Sequence, residues 1–238
     1  HSHSAIFTIG DGIEGIPVKY YENSVEFDGS KIDAGKYRVK ILIDDLRYQG
    51  EINFDLIINQ AQNMISDLTI EGWTYGDKPN IPSANSEFSK DNIEFTYSTE
   101  ENGAYSSEVP TNVGIYYVKA KSEGTKNYIS CEKTKSFSIS KRDVEVIWVT
   151  SESYTYTGNK FTTPTASITL IDTSNYSLKV STDKEEFKNA GTYTFTASTT
   201  VEEILNNYNF INYEKIITVE KATVEITNLT IEGWTYGD

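Results

Sequence analysis

The sequence predicts an all-β protein of tandem small β-sandwich (Ig-like) modules arranged end to end, with β-grasp-like modules as the alternative. Three observations predict it. The ten residues Leu68 to Asp77, LTIEGWTYGD, return unchanged at Leu229 to Asp238, an offset of 161 residues or about two 80-residue units. A second anchor, Asp33-Ala34-Gly35-Lys36-Tyr37, recurs as Asn112-Val113-Gly114-Ile115-Tyr116 and Asn189-Ala190-Gly191-Thr192-Tyr193, with glycines 79 and 77 residues apart. The chain is also rich in strand formers, including 17 tyrosines, and has no long stretch with apolar residues at helical spacing.

Taken in order, His1-Ser2-His3-Ser4 (1-4) reads as a tag remnant and is left out of the fold. Module 1 (5-62, shortened) opens on Phe7-Thr8-Ile9-Gly10-Asp11, a weaker copy of Trp73-Thr74-Tyr75-Gly76-Asp77. Tyr154-Thr155-Tyr156-Thr157-Gly158-Asn159 is a looser third copy. In each, a strand meets Gly and then Asp or Asn, with Pro17, Pro79 or Pro164 following. This is turn chemistry: glycine reaches positive φ, the Asx side chain closes a local turn, and proline ends ladder pairing.

The Gly-x-Tyr anchor launches an alternating strand in each module: Tyr37, Val39, Ile41; Tyr116, Val118, Ala120; Tyr193, Phe195, Ala197. Period-2 alternation buries one face. Tyr48, Tyr128 and Tyr208 follow at 80-residue spacing, the last two preceded by Asn127 and Asn207. The segment Val201 to Asn207 reads as one or two turns of helix. Closing strands at Phe54 to Ile58, Phe137 to Ile139 and Ile216 to Val219 run into Gln60-Ala61, Lys141-Arg142 and Lys221-Ala222. These junctions lead straight into a first strand such as Val144 to Trp148. Modules 2 (63-142) and 3 (143-222) follow on this count, and 223-238 reads as the first strand of a following module. Junctions this short, without a Gly/Ser- or Pro-rich spacer, predict limited hinge freedom. The expected core is Tyr37, Val39, Phe54, Ile70, Tyr116, Val118, Phe137, Val146, Tyr193, Phe195 and Val219.

A net charge of −14 argues against nucleic-acid binding, which needs a basic footprint. No run of about 18 apolar residues exists, so no membrane insertion is expected. The lone Cys131 forms no internal disulfide, and the only histidines are His1 and His3. A nucleophilic triad and a Cys/His zinc site therefore lack their residues. The adjacent carboxylates Asp44-Asp45 and Glu185-Glu186 sit on turns, and modules of this size offer no cleft for glycoside hydrolysis. The chain is expected not to be an enzyme.

The Tyr75-Gly76-Asp77 and Tyr236-Gly237-Asp238 turns, the three [DN]-[AV]-G-x-Y copies, the Asn-Tyr pairs and the closing Phe137 to Lys141 together resemble the MBG-type (Tyr-Gly-x or Tyr-Asp-Gly) repeats of bacterial cell-surface adhesins. The resemblance spans nearly the whole chain. It departs at Ile9, which replaces the motif tyrosine, and at Tyr156-Thr157-Gly158. It implies tandem extracellular modules of a bacterial surface protein, with the wall-anchoring parts lying elsewhere, and it brings no active site.

Two candidate sites follow from the repeats. Asp11, Asp77 and Asp238, with Asn159 in the same place, recur at a turn, and calcium takes turn oxygens. An Asx-type turn is the preferred reading, with no metal and no cofactor expected. Trp73, Tyr75 and Trp148 are the ring candidates for stacking on a ligand, with Trp234 the exact repeat of Trp73. Core or interface packing is preferred for the tryptophans, because buried aromatics dominate small cores. The function expected is a structural stalk or spacer in a cell-wall-attached adhesin. Its partners are neighbouring modules of the same chain, and the chain is a monomer. Modules of roughly 30 Å would reach on the order of 90–100 Å end to end. The alternative is a glycan- or host-matrix-binding module carried by loops Ser83 to Asn92 and Thr173 to Lys188.

Overall fold

Alternating apolar residues and glycine-marked turns fold about half of this chain into strands, with one short helix among the described residues. The structure, a computed structural model, describes residues 17–22, 24–28, 33–88, 93–151 and 153–237. Residues 1–4, the first copy of the Gly-Asp turn, and Asp11 and Asp238 lie outside them. The chain divides into two compact units: 1–71, 80–110 and 115–137 form one, and 72–79, 111–114 and 138–238 the other.

The first strands are β1 (Val18–Glu22), β2 (Val25–Phe27), β3 (Gly35–Ile43) and β4 (Glu51–Ile58), paired in the order β2-β1-β3-β4. Next come β5 (Ile65–Thr69), β6 (Trp73–Thr74), β7 (Ser83–Ser86), β8 (Ile93–Ser98), β9 (Gly114–Ser122) and β10 (Cys131–Ser140). Here β5 pairs with β7, and a second sheet runs β6-β10-β9-β8. The rest comprises β11 (Arg142–Glu145), β12 (Ile147–Val149), β13 (Tyr154–Thr155), β14 (Thr165–Thr169), β15 (Asn175–Thr182), β16 (Gly191–Ser198), the short helix α1 (Glu202–Asn207), β17 (Tyr208–Ile211) and β18 (Glu214–Glu220). Strands β11 and β17 pair in parallel, and a six-stranded sheet runs β12-β14-β15-β16-β18-β13.

Each anchor glycine is the first residue of its long strand, β3, β9 or β16. The alternation after it holds: Val39, Ile41, Val118, Ala120, Tyr193, Phe195 and Ala197 are buried. Ile70, Phe137, Val146 and Val219 are buried as well, whereas Tyr37, Phe54 and Tyr116 are only half-buried. In the second unit, Val146, Ile168, Leu178, Ala197, Ile204 and Tyr208 form one core cluster. Phe187, Tyr193, Phe195, Ile217 and Val219 form another.

Three expectations need correction. Val144 to Trp148 is not one strand: it breaks between β11 and β12 at the buried Val146, where the chain changes partner from β17 to β14. The segments Ser83 to Asn92 and Thr173 to Lys188 are not simply loops. The first contains β7, its residues 89–92 lying outside the described set, and the second contains β15. Tyr176, Leu178 and Val180 alternate there, but the intervening Ser and Lys hide the pattern from a composition-based reading. Lastly, residues 221–235 form neither helix nor strand. The identical sequence at 68–74 pairs with Ser83 of β7 and with Ile139 and Ser140 of β10, whereas the later copy joins no strand among the described residues. Trp73 is 8 % exposed and Trp234 76 %.

Candidate functional site

The [DN]-[AV]-G-x-Y anchor folds back on itself. The Tyr37 hydroxyl donates to the Asp33 carbonyl at 2.9 Å, and the Tyr193 hydroxyl to the Asn189 carbonyl at 2.7 Å. The glycine clears the way for the ring, since a Cβ on Gly35 would sit 3.3 Å from the Tyr37 ring. Gly191 adds a positive φ of 139°. The fold-back places the N–H of the anchor's second residue outside the strand ladder, where it needs another acceptor.

An asparagine from about 93 residues later supplies that acceptor. Ala34 N–H donates to Asn127 Oδ1 at 2.6 Å, and Val113 N–H to Asn207 Oδ1 at 3.1 Å. Two sequence anchors that recur separately along the chain therefore meet in space, twice, through equivalent atoms. In the first pair, Asn127 Nδ2 also donates to Asp33 Oδ1 at 3.1 Å, and the Lys126 ammonium lies 2.6 Å from Asp33 Oδ2. The hydrogen bond from Lys126, then that from Asn127, hold the Asp33 carboxyl below the ordinary aspartate value. In the second pair Asn112 replaces Asp33, so the charge is absent.

Different local structures deliver the two asparagines. Asn127 sits in a turn whose Thr125 Oγ1 accepts from the N–H groups of Asn127 and Tyr128. Asn207 is the last residue of α1 and is 3 % exposed. The turn and the helix end are nevertheless held alike. Gln60 Nε2 donates to the Thr125 carbonyl at 2.7 Å, and Lys141 Nζ to the Leu205 carbonyl at 2.5 Å. Ala61 bridges Tyr128 in parallel, as Arg142 pairs with Tyr208. The tyrosines anchor by their rings: Tyr128 stacks on Phe88 at 4.3 Å, and Tyr208 meets Tyr75 edge-on at 5.4 Å.

The Tyr-Gly-Asp turn feeds the second of these contacts. Tyr75 packs against the cluster around Val146 and Tyr208, and burial pushes its phenol pKa up, with smaller contributions from Tyr208, Glu203 and Asp172. Gly76 has φ of 81°, and a Cβ there would lie 2.8 Å from Ile171. Arg142 Nε donates to the Tyr75 carbonyl at 2.7 Å, and its guanidinium pairs with Asp77 Oδ1. The Asp77 carboxylate thus faces a cation that already occupies it.

Of the ring candidates, Trp73 is buried, Tyr75 is packed as described, and Trp148 is half-buried between the two core clusters with its indole N–H donating to the Asn212 carbonyl at 2.9 Å. Asn159 N–H donates to Thr157 Oγ1 within its own turn. The Cys131 thiol is pushed up by burial, away from the thiolate form. Among the described residues no three His, Cys, Asp or Glu side chains cluster as metal ligands, and no helix is long and apolar enough to cross a membrane. The sequence marks Asn127 and Asn207 as pattern elements and Arg142 as a junction residue, but it gives none of them these roles. The available signal was the 80-residue spacing of Asn127 and Asn207, close to the 79-residue spacing of Gly35 and Gly114. No family model matches the chain, and a comparison with curated proteins gives no match.

Proposed function

We propose that this chain is a non-catalytic structural spacer from a bacterial cell-surface adhesin, built of tandem MBG-type modules at 5-62, 63-142 and 143-222. The observation that carries the reading is the pair of equivalent bonds, Asn127 to Ala34 and Asn207 to Val113, which join residues of successive repeats. In a repeat array, stability is a sum of module terms and nearest-neighbour terms. A carboxamide that satisfies the neighbour's turn supplies such a term, about 0.5–1.5 kcal/mol net for each hydrogen bond. The motif residues are thus engaged with one another rather than set out for a ligand.

Small sandwich modules are favoured over β-grasp modules by the Tyr37 and Tyr193 fold-backs, which have the bonding of a tyrosine corner. The proposed location is extracellular, with wall attachment supplied by other parts of the protein. The dispersed negative charge keeps copies apart.

One observation favours the adhesive alternative. A depression of about 440 Å³ lies on the first sheet, lined by Tyr21, Ser24, Arg38, Lys40, Leu42 and Asn53. Polar side chains beside Tyr21 and Leu42 are a lining that can orient a bound ligand such as a glycan, although Lys40 already pairs with Glu51 at 2.5 Å. A glycan and matrix-protein array, run with calcium and with chelator, separates the readings. The spacer reading expects no saturable binding in either condition. Saturable binding lost in the double variant Arg38→Ala/Asn53→Ala would establish the adhesive reading.

A further inference from the structure

We propose that the exposed turn Asn189-Ala190, together with Tyr156-Thr157-Gly158, is a third acceptor face of the same kind. Its occupant is a further repeat module, joined in line through residues 223–237, that engages it with an Asn-Tyr turn. The inference rests on the modular reading above.

The third anchor repeats the tyrosine fold-back of the first, and no asparagine caps it among the described residues. The Tyr193 hydroxyl bonds back to the Asn189 carbonyl as Tyr37 does to Asp33. Ala34, whose N–H is satisfied by Asn127, is buried, whereas Ala190 is exposed and its N–H has no hydrogen bond among the described residues. The Tyr-Gly turns agree as well. Tyr75 N–H donates to the Ser140 carbonyl and Tyr156 N–H to the Glu220 carbonyl, each at 2.9 Å. Gly76 and Gly158 have φ of 81° and 82°. Beside Gly76 stands Ile171, but a Cβ on Gly158 would meet nothing nearer than the Tyr156 hydroxyl at 4.0 Å. Lys221 occupies the place of Lys141, whose ammonium holds the Leu205 carbonyl.

The chemistry of the occupant follows. It must present a carboxamide oxygen to the Ala190 N–H, a main-chain carbonyl to Lys221, and an aromatic ring to Tyr156. In the copy closed by Asn207 all three are present: Asn207 Oδ1 on the Val113 N–H, the Leu205 carbonyl on Lys141 and the Tyr208 ring on Tyr75. The segment leading away from this face has the sequence that opens such a module: Leu229, Ile231 and Trp234 are exposed, while their counterparts Leu68, Ile70 and Trp73 are buried. A second copy of this chain fits less well. Its Asn127 and Asn207 are engaged, and its first module carries Arg47 before Tyr48, with Arg47 tied to Asp45.

The test is amide hydrogen exchange, read by NMR at Ala34, Val113 and Ala190. One sample is the full 238-residue chain. The other extends it after Asp238 with residues 78–142, a seamless continuation because 229–238 repeats 68–77. In the 238-residue chain Ala190 should exchange at least about tenfold faster than Ala34 and Val113. In the extended chain it should slow to their level, and alanine at the appended copy of Asn127 should restore fast exchange. Fast exchange at Ala190 beside protected appended strands overturns the proposal. Should the appended strands not protect, a second extension, residues 143–222 in place of 223–238, is read the same way. Concentration-dependent slowing in the 238-residue chain would make the occupant a second copy and also overturn it. Fast exchange at Ala34 and Val113 themselves would sink the modular reading beneath it.

Discussion

Gly72 and Gly233 occupy the same place in the same ten residues, yet they face different surroundings. A Cβ on Gly72 would fall on the Ser138 carbonyl oxygen, whereas one on Gly233 would meet nothing within 4 Å. Gly72→Ala should therefore cost about 1–3 kcal/mol through overpacking against backbone, and Gly233→Ala less than about 0.5 kcal/mol. Urea unfolding of the two variants checks this, and equal costs would refute it. Asp33 gives a second prediction at this scale. Its folded pKa is depressed, first by the Lys126 hydrogen bond and then by Asn127. Its contribution is therefore present above the unfolded value of about 3.9 and is lost as pH falls through the lower folded value. An NMR acid titration should move the Asn127 side-chain NH2 resonances with a midpoint below about 3.9 and leave those of Asn207, opposite the neutral Asn112, in place. A shared midpoint for both asparagines would contradict this.

Among the elements, the turn before β3, the turn carrying Asn127 and the end of α1 hold the junction contacts. Asn207 is almost fully buried, so Asn207→Ala leaves the Val113 N–H without its partner and should cost about 1–3 kcal/mol. Asn127→Ala, at a half-buried site, should cost less, a ranking that differential calorimetry of the two variants would check. Much of this architecture is readable in the residues. Gly35 and Gly191 mark strand starts because a Cβ at Gly35 would crowd the Tyr37 ring and Gly191 takes a positive φ. The VEEILNN segment is recognisable as a helix because two acidic residues open it and no β-branched run interrupts it. The break at Val146 is hidden, since the parity of Val144, Val146 and Trp148 is unchanged by a switch of partner strand. The Asn–turn contact is hidden too, because its atoms are 93 and 94 residues apart and local pattern carries no information on distant pairing. The exposure of Leu229, Ile231 and Trp234 cannot be read from a sequence identical to 68–76, where Leu68, Ile70 and Trp73 are buried. Partners, not propensity, decide its state.

For the whole molecule, the proposed coupling of neighbouring modules through the anchor motifs engages the motif rings and carboxylates. Asp77 pairs with Arg142, so calcium should leave the unfolding midpoint unchanged, and a melt with calcium against chelator would reveal any shift. The most direct measurement follows the methyl signals of Val39, Val118 and Val219 through urea unfolding in the wild-type chain, Asn127→Ala and Asn207→Ala. These residues lie in the strands of the three proposed modules and are buried. The account predicts that Asn127→Ala moves the Val39 transition to lower urea, away from that of Val118, and that Asn207→Ala separates Val118 from Val219. Transitions that keep their wild-type spacing in both variants would contradict it, and would leave the paired anchors as local turn chemistry with no role between modules.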